Sequence, residues 1–310
     1  MDDLRDPRKT FGEALVDAAE KNQNIVALSA DSSSGSGMTP FRERFPERHI
    51  EFGIMEQGIM GFSAGLATTG KIPFVVAIAP FVTARPFEMF RNDLGYMRQN
   101  VKVVGRCAGL TYSDLGATHQ SLDDIAIIRT IPGVTVLNPG DPVDIVKAVH
   151  AAAAHVGPVY IKLGSPKMPI LMDENYPFQI GKGVVMQEGS DVTIIGTGTV
   201  LSKAAEATRI LKEKGIQARL INMHTIKPLD RELVLKAAAE TGKIVTVEEG
   251  YLAGGLGSCI AELIVAEHPV PMKMIGIDDL FCDTGPYEEL LAMYGLQGDR
   301  IAETVEQFLS

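Results

Sequence analysis

The sequence predicts an α/β protein of two domains, each a mostly parallel sheet flanked by helices. Short apolar runs rich in β-branched residues alternate with longer helical patterns from Ile25 onward, the signature of βαβ units. The alternation is interrupted once, between Gly164 and Gly181, where Pro, Gly and polar residues follow no clear period. A chain of 310 residues also suffices for two cores of roughly 150 residues each. These observations place a first domain at residues 1–165, a linker at 166–184 and a second domain at 185–310.

Taken in order, Thr10 and Glu13 have capping-box spacing and open a helix through Lys21. The run IVALSAD reads as a strand, MEQGIMGFSAGLATTG as a helix and PFVVAIAP as a second strand. A helix near Pro86 to Arg98 and the strand VKVVG follow. Pro142 stands at the first turn of a helix over Asp141 to His155, and VYIKL closes the unit near Leu163. Beyond the linker, DVTIIGTG, helix 200–214, ARLINM, helix 230–241, KIVTVEE, helix 255–267 and MKMIGI build a smaller domain completed by terminal helices.

Composition narrows the function. A formal charge of −10 with no basic stripe argues against nucleic acid. The longest apolar run, Ile72 to Val82, is far short of the ~20 residues that span a bilayer, and the start has no apolar signal core, so a cytoplasmic protein without a membrane is expected. Cys107, Cys259 and Cys282 are scattered and lack metal-ligand spacing, which fits a reducing compartment and excludes a zinc framework. Three glycine-rich places, Gly35 to Gly37, Gly196 to Gly198 and Gly254 to Gly257, complete neither a P-loop nor a dinucleotide fingerprint and read as tight turns.

Two constellations carry chemistry. Glu56, in GIMEQG, is a carboxylate where a strand gives way to a helix reading IMGFSAGLA, so apolar that it is expected to be buried on nearly every side. A buried carboxylate needs a partner. The second is GATHQSLDD at 116–124, a loop whose His119 is placed to transfer a proton or bond a substrate oxygen, with Asp114 and Arg106 nearby.

At these residues the chain resembles the transketolase family of thiamine diphosphate enzymes, specifically its pyrimidine-binding and C-terminal domains. The resemblance is carried by SADSS at 29–33, EFGIMEQG at 51–58, PFVTARPFEMFR at 80–91, GATHQSLDD at 116–124, HTIKPLD at 224–230 and VEEGYLAGGLG at 247–257. It implies that Glu56 bonds the ring nitrogen of the cofactor's aminopyrimidine and thereby activates the thiazolium carbon toward a ketose carbonyl. It further implies that Phe81 stacks on the pyrimidine with Ile78 in a neighbouring position, that Asp31 lies near the cofactor, that Arg85 belongs to the same site, and that His119 bonds substrate oxygens.

The Gly-Asp-Gly domain that holds the diphosphate and its metal in full-length relatives is missing. The resemblance therefore implies one subunit of a split transketolase, transferring a two-carbon unit from a ketose to an aldose. Mg²⁺ and the diphosphate would be held by a separate N-terminal subunit in an α2β2 assembly. In the substrate pocket the chain departs from ordinary transketolases: Leu115 stands in place of Asp, Cys107 of His and Ser165 of Arg. Arg106, Lys162 or Lys167 would then grip an anionic sugar, or the acceptor carries another end group. The rival readings are the β subunit of a 2-oxoacid dehydrogenase, a deoxyxylulose-phosphate-synthase-like enzyme, and a non-catalytic scaffold subunit.

Overall fold

A computed structural model describes residues 4–310. It opens on α1 (Pro7–Lys21), capped by Asp6, whose carboxylate accepts from the N–H groups of Arg8 and Lys9. This corrects the capping box expected at Thr10. Asp followed by Pro at the first helical position makes the better start, because the carboxylate satisfies orphan amides and Pro has none to leave unpaired. Thr10 lies inside the helix and turns its hydroxyl back onto the Asp6 carbonyl.

Next come β1 (Ile25–Ser29), α2 (Thr39–Arg44), β2 (His49–Glu51), α3 (Glu56–Thr68) and β3 (Ile72–Ile78). β1 is buried throughout: Val26 and Leu28 face one core, Ile25 and Ala27 the other. A strand covered on both faces reads as a continuous apolar run. The run PFVVAIAP ends in a short α4 (Ala79–Val82), and the single helix expected over Pro86 to Arg98 is instead α5 (Phe87–Met89) and a π-helical stretch, Phe90–Tyr96. There Gly95 presses so close to Ile131 that a Cβ would lie 2.4 Å from its Cγ2. The first half is completed by β4 (Lys102–Arg106), α6 (Asp124–Arg129), β5 (Thr135–Leu137), α7 (Pro142–Ala154) and β6 (Val159–Lys162).

The second half runs β7 (Val184–Gln187), β8 (Val192–Gly196), α8 (Leu201–Glu213), β9 (Ala218–Asn222), β10 (Thr225–Lys227), α9 (Arg231–Thr241) and β11 (Ile244–Tyr251). It ends with α10 (Leu256–Glu267), β12 (Met272–Ile277), α11 (Tyr287–Met293) and α12 (Gly298–Leu309). Its sheet has the order β12-β11-β8-β9-β7, with β7 antiparallel at the edge. The first sheet has the order β10-β5-β6-β4-β3-β1-β2. All its pairs are parallel except the one that β10 makes with β5, Thr225 opposite Leu137. β10 was not foreseen, since three residues are too short for a period, and it carries the second half of the chain onto the first sheet. One apolar core accordingly runs from Val26 and Val75 through Ile195 and Met223 to Ile260.

α3 departs from expectation. Ile59, Met60, Ser63 and Ala64 are buried, but Gly58, Gly61, Phe62 and Gly65 are exposed, with Ile54 and Met55 just ahead of them. The helix is apolar all round because it offers a second apolar face, one that this chain leaves uncovered.

The glycine-rich turns are occupied by the chain itself. At the start of α10 the amides of Leu256 and Gly257 each donate over 2.8 Å to the buried carboxylate of Glu248. Among the described residues no helix is long and apolar enough to cross a membrane, and the three cysteines are free.

Candidate active site

The carboxyl ends of parallel strands are where open α/β sheets bind ligands, and most of the expected residues gather there on the first sheet. β3 ends at Ile78, which is half-buried and lies opposite Arg106 of β4. The short α4 that follows presents Phe81. Glu56, the first residue of α3, is 5% exposed, and its Oε1 accepts from Arg85 Nη1 at 2.7 Å. Arg85 in turn lies over the Phe81 ring, 4.0 Å from its centroid, and its own carbonyl accepts from Gln57 Nε2. The buried carboxylate thus already has a partner within the chain. That partner is a guanidinium whose side chain is 43% exposed, so a ligand can displace or join it.

His119 also meets Phe81, the two rings steeply inclined at 70° with centroids 5.2 Å apart. Its Nδ1 bonds the Thr118 hydroxyl at 2.9 Å, and the Tyr112 ring stands perpendicular to it at 5.7 Å. Glu56, Arg85, Phe81 and His119 therefore form one continuous cluster. A cavity of about 250 Å³ adjoins it, lined by Pro80, Ala84 and Thr118 from the first half and by Tyr251 and Phe281 from the second.

A second cluster surrounds Arg106, which is 5% exposed. Its Nε donates to Ser36 Oγ at 2.6 Å, and its Nη1 donates to Cys107 Sγ at 3.1 Å and to the Tyr112 hydroxyl at 3.3 Å. Ser165 donates to the same sulfur at 2.8 Å. Cys107 has a left-handed backbone, φ 53°, uncommon for a residue with a side chain. No carboxylate of the described residues comes within ion-pair distance of Arg106. Of the other two cations considered for this role, Lys162 is buried against Asp124 at 2.7 Å and Lys167 is exposed.

Asp31 and Asp114 stand apart from both clusters. Asp31 is exposed beyond the end of β1, with φ 50°. Its N–H donates to Glu51 Oε1 at 2.6 Å, while the hydroxyls of Ser29 and Ser33 donate to Glu51 Oε2. Burial alone would raise the Glu51 carboxyl, but these hydrogen bonds outweigh it and hold it below its ordinary value. Asp114 and Leu115 are exposed on the His119 loop. Tyr112, which joins the two clusters, and Glu51, which holds the Asp31 turn, were missed by sequence reasoning. Tyr112 lies only seven positions ahead of His119, a proximity that could have marked it.

The geometry offers a carboxylate beside an aromatic face, suited to a flat heteroaromatic ring bearing N–H and ring nitrogen, and an imidazole suited to oxygens next to it. Among the described residues no group of three or more His, Cys, Asp or Glu could hold a metal ion.

The pyrimidine-binding domain of transketolase matches residues 5–169, and the transketolase C-terminal domain matches 181–301. The chain is 40% identical over 303 residues to one subunit of the apulose-4-phosphate transketolase of Phocaeicola vulgatus, covering 97% of each chain. It is 38% identical to the 6-deoxy-6-sulfo-D-fructose transketolase subunit SqwH of a Clostridium species, covering 97% of this chain and 93% of the other. A solved structure described as a split gene transketolase, inactive beta4 tetramer, superposes with a TM-score of 0.92 at 40% identity, covering 98% of both chains.

Proposed function

The chain belongs to the transketolase family of thiamine diphosphate enzymes, and on that premise we propose that it is one subunit of a split transketolase, active with a partner that holds the diphosphate and Mg²⁺. The observation that carries this reading is that one guanidinium, Arg85, both pairs with buried Glu56 and lies over the Phe81 ring, which brings carboxylate and aromatic platform to one place. It provides the pyrimidine end of a cofactor site. Thiamine diphosphate, when bound, supplies a nucleophilic thiazolium carbon and an electron sink.

The chain's own residues do the rest. Glu56 holds a ring nitrogen and its proton, with Arg85 steadying the carboxylate from the exposed side. Phe81 stacks on the ring, with Ile78 beside it. His119 bonds oxygens of the ketose next to the reacting carbon, and Asp31, on the exposed turn after β1, faces the partner. The exposed apolar side of α3 is the natural surface for self-association within an α2β2 assembly. The free cysteines suit the cytoplasm.

In the substrate pocket Arg106 takes the role of the absent Arg at Ser165. Of the three cations considered for this role it is the buried one with no carboxylate partner among the described residues, whereas Lys162 is already neutralised and Lys167 is exposed. An anionic end group on the sugar would supply the missing countercharge. Relatives named for a phosphorylated and a sulfonated sugar support an anionic substrate. Asp114 is a rim contact replacing the Asp absent at Leu115.

The test is reconstitution. The chain is mixed with a candidate diphosphate-binding subunit, thiamine diphosphate and Mg²⁺, and assayed against sugar phosphates and against pyruvate with a lipoyl domain. Sugar turnover that needs both subunits is expected. Turnover by this chain alone, or lipoyl acetylation without sugar activity, would overturn the proposal.

A further inference from the structure

The loop that carries His119 is closed at its neck. Gly109 and Ser121 exchange both backbone hydrogen bonds at 2.9 Å, so residues 110–120, with Tyr112 and His119 among them, leave and re-enter the fold at one point. That neck rests on a residue of the other domain. Glu249 of β11, 4% exposed, accepts from Leu110 N–H at 2.6 Å through Oε1. Its Oε2 accepts from the Tyr287 hydroxyl of α11 at 2.9 Å and from the Thr199 hydroxyl ahead of α8. Gly109 has φ 70°, and a Cβ there would come within 2.4 Å of Glu249 Oε1, so only glycine allows this approach.

Three more contacts run the same way. Tyr251 N–H donates to Leu122 O at 2.9 Å, Gly285 N–H donates to Ser113 O at 3.1 Å, and Gln120 Nε2 donates to Asp283 O at 3.0 Å. Among the described residues the His119 imidazole is held only by the Thr118 hydroxyl and by the Phe81 and Tyr112 rings. Its place opposite Phe81 is therefore set by the backbone around it, and that backbone is seated on the second domain.

We infer that Glu249 is a positioning residue: its carboxylate clamps the neck of the His119 loop, and the second domain serves as the platform that aims the loop at the cofactor site. The aiming of substrate contacts rests on the role proposed for His119; the clamp does not. Glu249 touches no reactant. A buried carboxylate with three donors from three elements has one geometry that satisfies all of them, so it transmits the rigidity of α8, β11 and α11 to the loop.

Hydrogen exchange of the purified chain and of the reconstituted pair tests the clamp. In Glu249→Ala the amides of residues 110–120 should exchange about tenfold faster while those of α8 and α11 keep their protection. Glu249→Gln should stay near the native rate, because the amide oxygen can still take the Leu110 N–H and both hydroxyls can turn to accept. In the pair, Glu249→Ala should raise KM for the sugar and lower kcat with cofactor affinity unchanged, and Glu249→Gln should recover most of both. Unaltered exchange of the loop, or protection lost equally across α8 and α11, would overturn the inference. Should Glu249→Ala fail to fold, Gly109→Ala attacks the same contact from the loop side and decides it by the same two outcomes. Absence of sugar turnover in the wild-type pair would overturn the proposed function while leaving the exchange result to judge the clamp.

Discussion

Glu56 at the carboxyl ends of the first sheet's strands and Glu249 on β11 of the second sheet are equally withdrawn from water, at 5% and 4% exposure, yet they are satisfied differently. Glu249 takes donors from three elements, and its neighbour Glu248 takes two helix amides. Among the described residues Glu56 has one side-chain partner, an arginine that is itself half-exposed and spread over an aromatic ring. A buried carboxylate whose acceptors are all engaged by its own chain is part of the scaffold. One whose partner is a movable cation spread over an aromatic ring is equipped for a ligand.

Replacement should separate the two kinds most sharply at Glu56. In the reconstituted pair Glu56→Ala should lower turnover by at least about a thousandfold, roughly 4 kcal/mol of barrier, while chemical denaturation shows unfolding free energy changed by about 1 kcal/mol or less, because the lost ion pair is partly solvated. A large loss of stability would place Glu56 with the scaffold carboxylates instead.

Glu248 should show its character through pH. Burial pushes its carboxyl up to about 7 against the pull of the Gly257 and Leu256 amides. The folded chain then keeps a proton that the unfolded chain has released, so the stability it contributes is full below about pH 4.5 and is lost as pH rises to about 7. The size is up to about 3 kcal/mol. Denaturation curves across that window should show the decline, and Glu248→Gln should flatten it.

A parallel contrast holds among the cations. Lys162 is neutralised by Asp124, whereas among the described residues Arg106 has only hydroxyl and thiol partners. Arg106→Met should raise KM for an anionic sugar by about thirtyfold, near 2 kcal/mol, with a smaller change for an uncharged analogue. Equal loss for both would make Arg106 a packing residue. The smallest effect is expected at Phe81: Phe81→Leu keeps apolar bulk but loses the flat face, weakening thiamine diphosphate binding by about five- to tenfold, near 1 kcal/mol, measurable by calorimetry on the pair.

Much of the fold was legible because strands buried on both faces write themselves as unbroken apolar runs, as in IVALS and PFVVAI, and because the helices between them have their own period. Glu56 stood out for the same reason, a charge in an apolar setting. The cap at Asp6 was misplaced because two cap signals lay four residues apart and only the geometry of Pro7 decides between them. β10 was illegible because three residues carry no period, and its partner β5 lies far away in sequence. Glu249 escaped for a related reason: nothing near it in sequence shows that Leu110, 139 positions earlier, donates to it. The uncovered side of α3 was misread as core, since an apolar face looks the same whether it meets its own chain or another.

The most direct test of the central claim follows the exchange of the cofactor's thiazolium C2 proton with deuterium, read by NMR after quenching, in the pair assembled with native chain and with Glu56→Gln. Rapid exchange is expected in the native pair, and exchange near the rate of free thiamine diphosphate in the variant, with cofactor still bound. Equal exchange in both would show that Glu56 does not hold the pyrimidine end of the site.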